Sequence, residues 1–218
     1  MGFRLLVENR WSITNEDPTL WVKICDGYKD TTFGQDSLPL GDTLSGTNPT
    51  MTEAIQTVID DYNGVPRSYL RLALYPNDPD NPGTPAAGDS EFTLAKAATR
   101  TINICVEDPS NPFIGGHAKQ KTSGNVVTGC DIVFSNSVLE DNFNFLATAT
   151  HEIGHCIGLD HPMDTQHAIM SYFEKDDMYR LQIDDRMGLV HLFPLTIKDG
   201  VPMDPKERNT FGLSCSVK

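Results

Sequence analysis

The run His151-Glu152-Ile153-Gly154-His155-Cys156-Ile157-Gly158-Leu159-Asp160-His161 holds residue types at spacings that can bind and use a metal ion. His151 and His155 are four apart, so on a helix they project from one face and can both reach a single ion. Imidazole nitrogen suits zinc, and a catalytic zinc takes three protein ligands while keeping one position open for water. Gly158 stands where a left-handed residue can end the helix and turn the chain sharply, which brings His161 back as the third ligand. Glu152 adjoins the first ligand and is not needed for binding. Its expected role is general base, taking a proton from a water whose pKa the metal has lowered to roughly 7. The plain alternative, three ordinary solvated histidines, leaves the third His and the Gly as coincidences.

The residues ahead of the run must hold these side chains at a cleft, and their pattern fits a helix wet on one side. From about Phe143, the side chains of Phe145, Leu146, Ala149, Ile153, Cys156 and Ile157 fall on one face, while Thr148, His151 and His155 fall on the other.

This pattern resembles that of the metzincins, zinc endopeptidases with three His at this spacing followed by a Met-turn. The turn is matched by Ala168-Ile169-Met170-Ser171-Tyr172. The resemblance implies that Met170 lies beneath the metal as an apolar cushion. It also implies an α/β fold with a twisted, mostly parallel five-stranded sheet, a long active-site helix, and a small C-terminal subdomain built on the Met-turn and a final helix. Residues 1–218 then form a single catalytic domain, with an upper subdomain over 1–160 and a lower one over 161–218. Glu152 is the implied general base. Tyr172 is either a second catalytic group, a phenol that reaches the metal and then the oxyanion, or a wall of the specificity pocket formed by Phe173 to Tyr179. The substrate backbone is implied to add as a strand along Gly116, His117 and Ala118, an interaction that needs free N–H and C=O groups.

The remaining chain is consistent with this architecture. Thr50 and Glu53 form a capping box ahead of Ala54, Ile55, Val58, Ile59 and Tyr62 at helical spacing, and Gly64 ends that helix. Phe3 to Val7, Leu20 to Cys25 and Ser68 to Tyr75 read as strands. Thr101 to Val106 and Cys130 to Phe134 suit inner strands, and Gly115 to Lys119 suits an edge. A last helix is predicted over Ile183 to Phe193 with Ile183, Met187 and Val190 on one face and the Asp184-Asp185 pair at its start. In the family such a pair fastens the Met-turn. The loop from Pro76 to Ser90 offers carboxylates and carbonyls that could bind Ca2+. Its Asp spacing matches no defined calcium motif, and a solvated loop is the plainer reading.

A net charge of −13 argues against a nucleic-acid partner. No stretch reaches the ~18 apolar residues of a membrane span. The start, Met1 to Leu6, reads as neither a signal peptide nor a myristoylation site, as expected of a processed or recombinant form. Five Cys are too few for a disulfide scaffold. Cys105, Cys130 and Cys156 read as buried thiols, with Cys25 and Cys215 the better candidates for a bridge. Cys25-Asp26-Gly27 invites comparison with the cysteine that blocks zinc in latent matrixins, although the flanking residues differ. Pro162 and Ser171-Tyr172 are similar to serralysins, whereas the compact size and lack of glycine-rich repeats are similar to matrixins. The expected function is therefore a secreted, monomeric zinc endopeptidase acting on protein or peptide substrates. A latent form, or a zinc-binding module without catalysis, is the alternative.

Overall fold

The computed structural model describes residues 3–6, 9–25, 50–75, 99–107, 115–140, 142–162, 167–172, 178–195, 197–198 and 201–202. Two short strands open the chain, β1 (Arg4–Leu5) and β2 (Arg10–Trp11), followed by β3 (Thr19–Ile24). Helix α1 (Met51–Asn63) leads to β4 (Arg71–Leu74), β5 (Thr101–Glu107), β6 (Gly116–Ser123) and β7 (Val126–Ser135). A 3₁₀ turn at Asn136–Glu140 leads into helix α2 (Asn142–Ile157), then β8 (Leu159–Asp160) and helix α3 (Ile183–Leu192). A two-residue pair, β9 (Ile197–Lys198) and β10 (Val201–Pro202), closes the described part.

The central sheet runs β4-β3-β5-β7, all parallel, with β6 antiparallel on the outer side of β7. These are the five strands expected. A sixth, the two-residue β2, runs parallel to the first residues of β7 where β5 has not yet begun. Alternate residues of the inner strands, Leu20, Val22 and Ile24, Ile102 and Ile104, and Cys130, Ile132 and Phe134, are buried with the apolar faces of α1 and α2. Phe134 meets Phe145 of α2 edge to face, ring centres 5.1 Å apart.

Local sequence accounts for both helices. The Thr50 hydroxyl accepts from the Glu53 N–H at 3.2 Å and the Glu53 carboxylate accepts from the Thr50 N–H at 2.8 Å, so the predicted capping box is formed. Met51, Ala54, Ile55, Val58, Ile59 and Tyr62 are its buried stripe. On α2 the predicted apolar residues Phe145, Leu146, Ala149, Ile153, Cys156 and Ile157 are all buried.

Two expectations are corrected. Cys130 is disulfide-bonded to Cys156, and Cys25 to Cys105; they are neither free thiols nor, for Cys25, a partner of Cys215, which lies outside the described residues. Both pairs have Cα separations that a disulfide spans. Cys130 points from β7 at α2 with 5.6 Å between Cα atoms, and Cys25 and Cys105 follow on neighbouring strands with 5.1 Å between theirs. A metal-blocking role for Cys25 is thereby excluded. The predicted N-terminal strand forms as β1, which pairs antiparallel with β8 outside the central sheet. Finally, α3 does not bury Ile183 and Met187, which are exposed. It buries Asp185, Gly188 and Leu189, because Leu159 Cδ2 and Phe3 Cβ lie 2.7 and 3.3 Å from where a side chain on Gly188 would begin. The loop from Pro76 to Ser90 and its calcium reading lie outside the described residues. Among the described residues no helix is long and apolar enough to cross a membrane.

Candidate metal centre

Helix α2 presents His151 and His155 one turn apart, and Gly158, at φ 111°, releases the chain into β8, which delivers His161. The three Nε2 atoms meet. His151 to His161 is 3.0 Å, and His155 lies 3.1 Å from each of the others. Two nitrogens bound at 2.0–2.1 Å to one tetrahedral zinc lie roughly 3.3 Å apart, so this triangle fits a zinc ion with little adjustment.

Hydrogen bonds at the far side of two rings fix which nitrogen is free. His151 Nδ1 lies 2.8 Å from the Ile169 carbonyl and His155 Nδ1 lies 3.0 Å from the Leu159 carbonyl. A carbonyl oxygen can only accept, so each Nδ1 carries the proton and each Nε2 keeps its lone pair for a metal. Burial also favours the neutral, ligating form. It lowers the His151 pKa to about 4, against the opposing bond to Ile169 and aided by the neighbouring histidines, and it lowers those of His155 and His161.

Glu152 sits beside this point with only 6 % of its surface exposed. Burial raises its pKa to about 7, and the backbone N–H of Ala118, hydrogen-bonded to the carboxylate, works against that rise. Such a carboxyl is poised to take and release a proton near neutrality. Along β6 the main-chain groups alternate. The Gly115 carbonyl accepts from Ser135 N–H of β7, while the Ala118 N–H turns the other way to Glu152. Gly116 and Ala118 therefore direct their N–H and C=O groups away from β7, and His117 turns its own into the sheet while its side chain is exposed. Gly116 also lets the edge strand approach closely, since a Cβ there would lie 2.9 Å from the Phe134 ring and 3.1 Å from Thr148 of α2.

Below the histidines, residues 168–171 turn sharply, with Ser171 N–H donating to the Ala168 carbonyl at 3.1 Å. Met170 is buried, and its Sδ lies so close to Gly154 of α2 that a side chain at that position would collide with it. The Asp185 carboxylate accepts from Ile169 N–H at 2.8 Å, Met170 N–H at 3.3 Å and Gln182 N–H at 2.8 Å. Of the Asp pair, Asp185 is thus the one that fastens the turn. Tyr172 stacks on the His161 ring, centres 3.8 Å apart and planes 24° off parallel, and is 69 % exposed. Tyr179, read as part of a pocket wall, is buried against Phe143, and residues 173–177 lie outside the described residues.

Two α1 residues complete the support without any local signal in the sequence. The Tyr62 hydroxyl donates to the Thr150 carbonyl at 2.7 Å, just ahead of His151, and the Thr150 hydroxyl donates to the Leu146 and Tyr179 carbonyls. Asp61 accepts from Leu181 N–H at 2.7 Å and from Arg186 at 2.9 Å, tying α1 to the start of α3. Tyr62 reads in the sequence only as one more apolar position of its helix.

Three imidazoles converge on one point, where the triangle of their nitrogens fits a zinc ion, and a buried carboxyl lies beside them. A family model for Matrixin matches residues 9–194, and the chain belongs to this family of zinc-dependent metalloendopeptidases. The match decides between the matrixin and serralysin likenesses in favour of the first. No curated protein matches the chain.

Proposed function

We propose that the chain cleaves protein substrates at a zinc held by His151, His155 and His161, with Glu152 as general base. The observation that carries this reading is the 3.0–3.1 Å triangle of Nε2 atoms beside the buried Glu152 carboxylate. Zinc, when bound, acidifies a water and stabilises negative charge on the substrate carbonyl oxygen. The substrate backbone adds as a strand along β6 at Gly116, His117 and Ala118, through the outward N–H and C=O groups of Gly116 and the outward C=O of Ala118, whose N–H is held by Glu152, and this sets the scissile carbonyl at the histidines. Glu152 takes the proton of the attacking water and passes it to the leaving amine, a transfer favoured by its pKa of about 7. Tyr172, whose ring stacks on that of His161, is read as a donor to the developing oxyanion, with a wall of the specificity pocket as the alternative. Gly158 and Met170 are structural: one turns the chain to His161 and the other fills the space under Gly154.

The chain is read as one catalytic domain, residues 1–160 above the cleft and 161–218 below it, acting as a monomer. Two disulfides among the described residues support secretion, since such bonds persist in oxidising compartments. Glu152→Ala tests the assignment. Zinc content should stay at the wild-type level while hydrolysis falls by a factor on the order of 10² to 10⁴; loss of zinc along with activity would make Glu152 a ligand.

A further inference from the structure

The last turn of α2 carries the second histidine, and its carbonyl groups are held by side chains from two distant parts of the chain. A helix leaves its last C=O groups without intrahelical partners, and such ends open readily unless something satisfies them. The Gly158 N–H serves the Gly154 and His155 carbonyls, at 3.1 Å each. Gln120 Nε2 donates to the His155 and Cys156 carbonyls at 2.9 and 3.1 Å, and the Trp11 indole N–H donates to the Cys156 carbonyl at 2.8 Å. Trp11 is buried and comes from β2, whereas Gln120 comes from the edge strand β6, two residues beyond Ala118.

We propose that Trp11 and Gln120 are positioning residues for the metal, capping the peptide groups of His155 and Cys156 so that the His155 imidazole stays at its meeting point with His151 and His161. The inference rests on the reading of these three histidines as zinc ligands. His155 is held from both sides of its backbone attachment. Its Nδ1 is bonded to the Leu159 carbonyl beyond the helix end, so any unwinding between residues 155 and 159 changes the direction of the ring. A ligand set must be kept within about 0.5 Å of its working geometry, which an open last turn would not allow. The Cys130–Cys156 disulfide anchors the same residue, but through its side chain. The peptide plane can still rotate under such a tether, and the two carbonyl donors are what stop it.

The test uses Trp11→Phe, which keeps a smaller aromatic ring and removes the indole N–H, Gln120→Met, which keeps the length and removes the donor, and the double variant. Zinc affinity is measured by competition with a chromogenic chelator, and melting temperature is measured for the zinc-loaded and metal-free forms. Groups that support metal ligands typically change affinity 10- to 100-fold when removed, and the double variant should lose zinc affinity by roughly that factor. The gap in melting temperature between loaded and metal-free protein should shrink accordingly. A folded double variant with wild-type zinc affinity, its two forms melting lower by equal amounts, would overturn the proposal. Should the double variant not fold, the single variants decide in the same way. A wild-type chain that binds no zinc would instead sink the ligand reading, and this inference with it.

Discussion

In metal-free protein, Glu152→Gln should raise stability, by an amount that depends on pH in a defined way. Glu152 is 6 % exposed, and its carboxyl pKa is raised from an ordinary 4.5 to about 7, with burial as the cause and the Ala118 N–H opposing it. A raised carboxyl pKa means that the folded chain holds its proton more tightly than the unfolded one. The contribution is favourable below about pH 4.5 and is lost as pH rises through about 7. At roughly 1.4 kcal/mol per pH unit, the charged form costs about 3 kcal/mol at pH 8. For a chain of this size that is roughly 6–12 °C in melting temperature. Glutamine removes the charge at nearly constant shape. Any fixed cost of burying its amide shifts all pH values equally and does not disturb the slope. The histidines act in the opposite sense, since their lowered pKa values cost stability as pH falls below 6.5, but both proteins share them. The assay is denaturant unfolding of both proteins in chelator at half-unit steps from pH 4.5 to 8. The difference should grow across the interval and level off above about 7. A difference independent of pH would refute the claim that a buried, costly charge sits at this position.

Tyr172→Phe in the zinc-loaded enzyme should lower kcat about tenfold or more with KM little changed; an unaltered kcat would remove the phenol from the chemistry. His161→Ala should weaken zinc binding and abolish most of the melting-temperature difference between loaded and chelated protein, because bound metal stabilises by mass action. Retention of that difference would show that the third histidine is not a ligand. Asp185→Ala leaves the N–H groups of Ile169, Met170 and Gln182 without their acceptor, and buried donors cost ~1–3 kcal/mol each when unsatisfied. Three such donors sum to roughly 3–9 kcal/mol, so unfolding should be easier by that amount less the gain from no longer burying the charge, and a neutral result would mean that water replaces the carboxylate.

The metal helix was legible because its two faces differ in type: six apolar residues at helical spacing on one side, two histidines and a threonine on the other. The capping box at Thr50 and the edge position of residues 115–119 were legible for similarly local reasons. The face of α3 was not, since it buries an aspartate and a glycine. Asp185 is satisfied by three N–H groups, and Gly188 is buried because neighbours from the N-terminus and β8 occupy the space of its missing side chain. Nor could the sequence show the disulfide partners, whose meeting depends on the sheet order, or the pairing of β1 with the stretch that leads into His161. Such contacts join residues far apart in the chain and leave no periodic trace. The family resemblance implies that the Asp184-Asp185 pair fastens the turn, but only the hydrogen bonds single out Asp185.

The central claim is tested most directly by titrating zinc into the metal-free chain and measuring cleavage of an unfolded protein at each step. The rate should rise in proportion to bound zinc and stop rising at one ion per chain, and chelation should return it to zero. Cleavage that persists without zinc, or its absence from a chain carrying one zinc, would contradict the account.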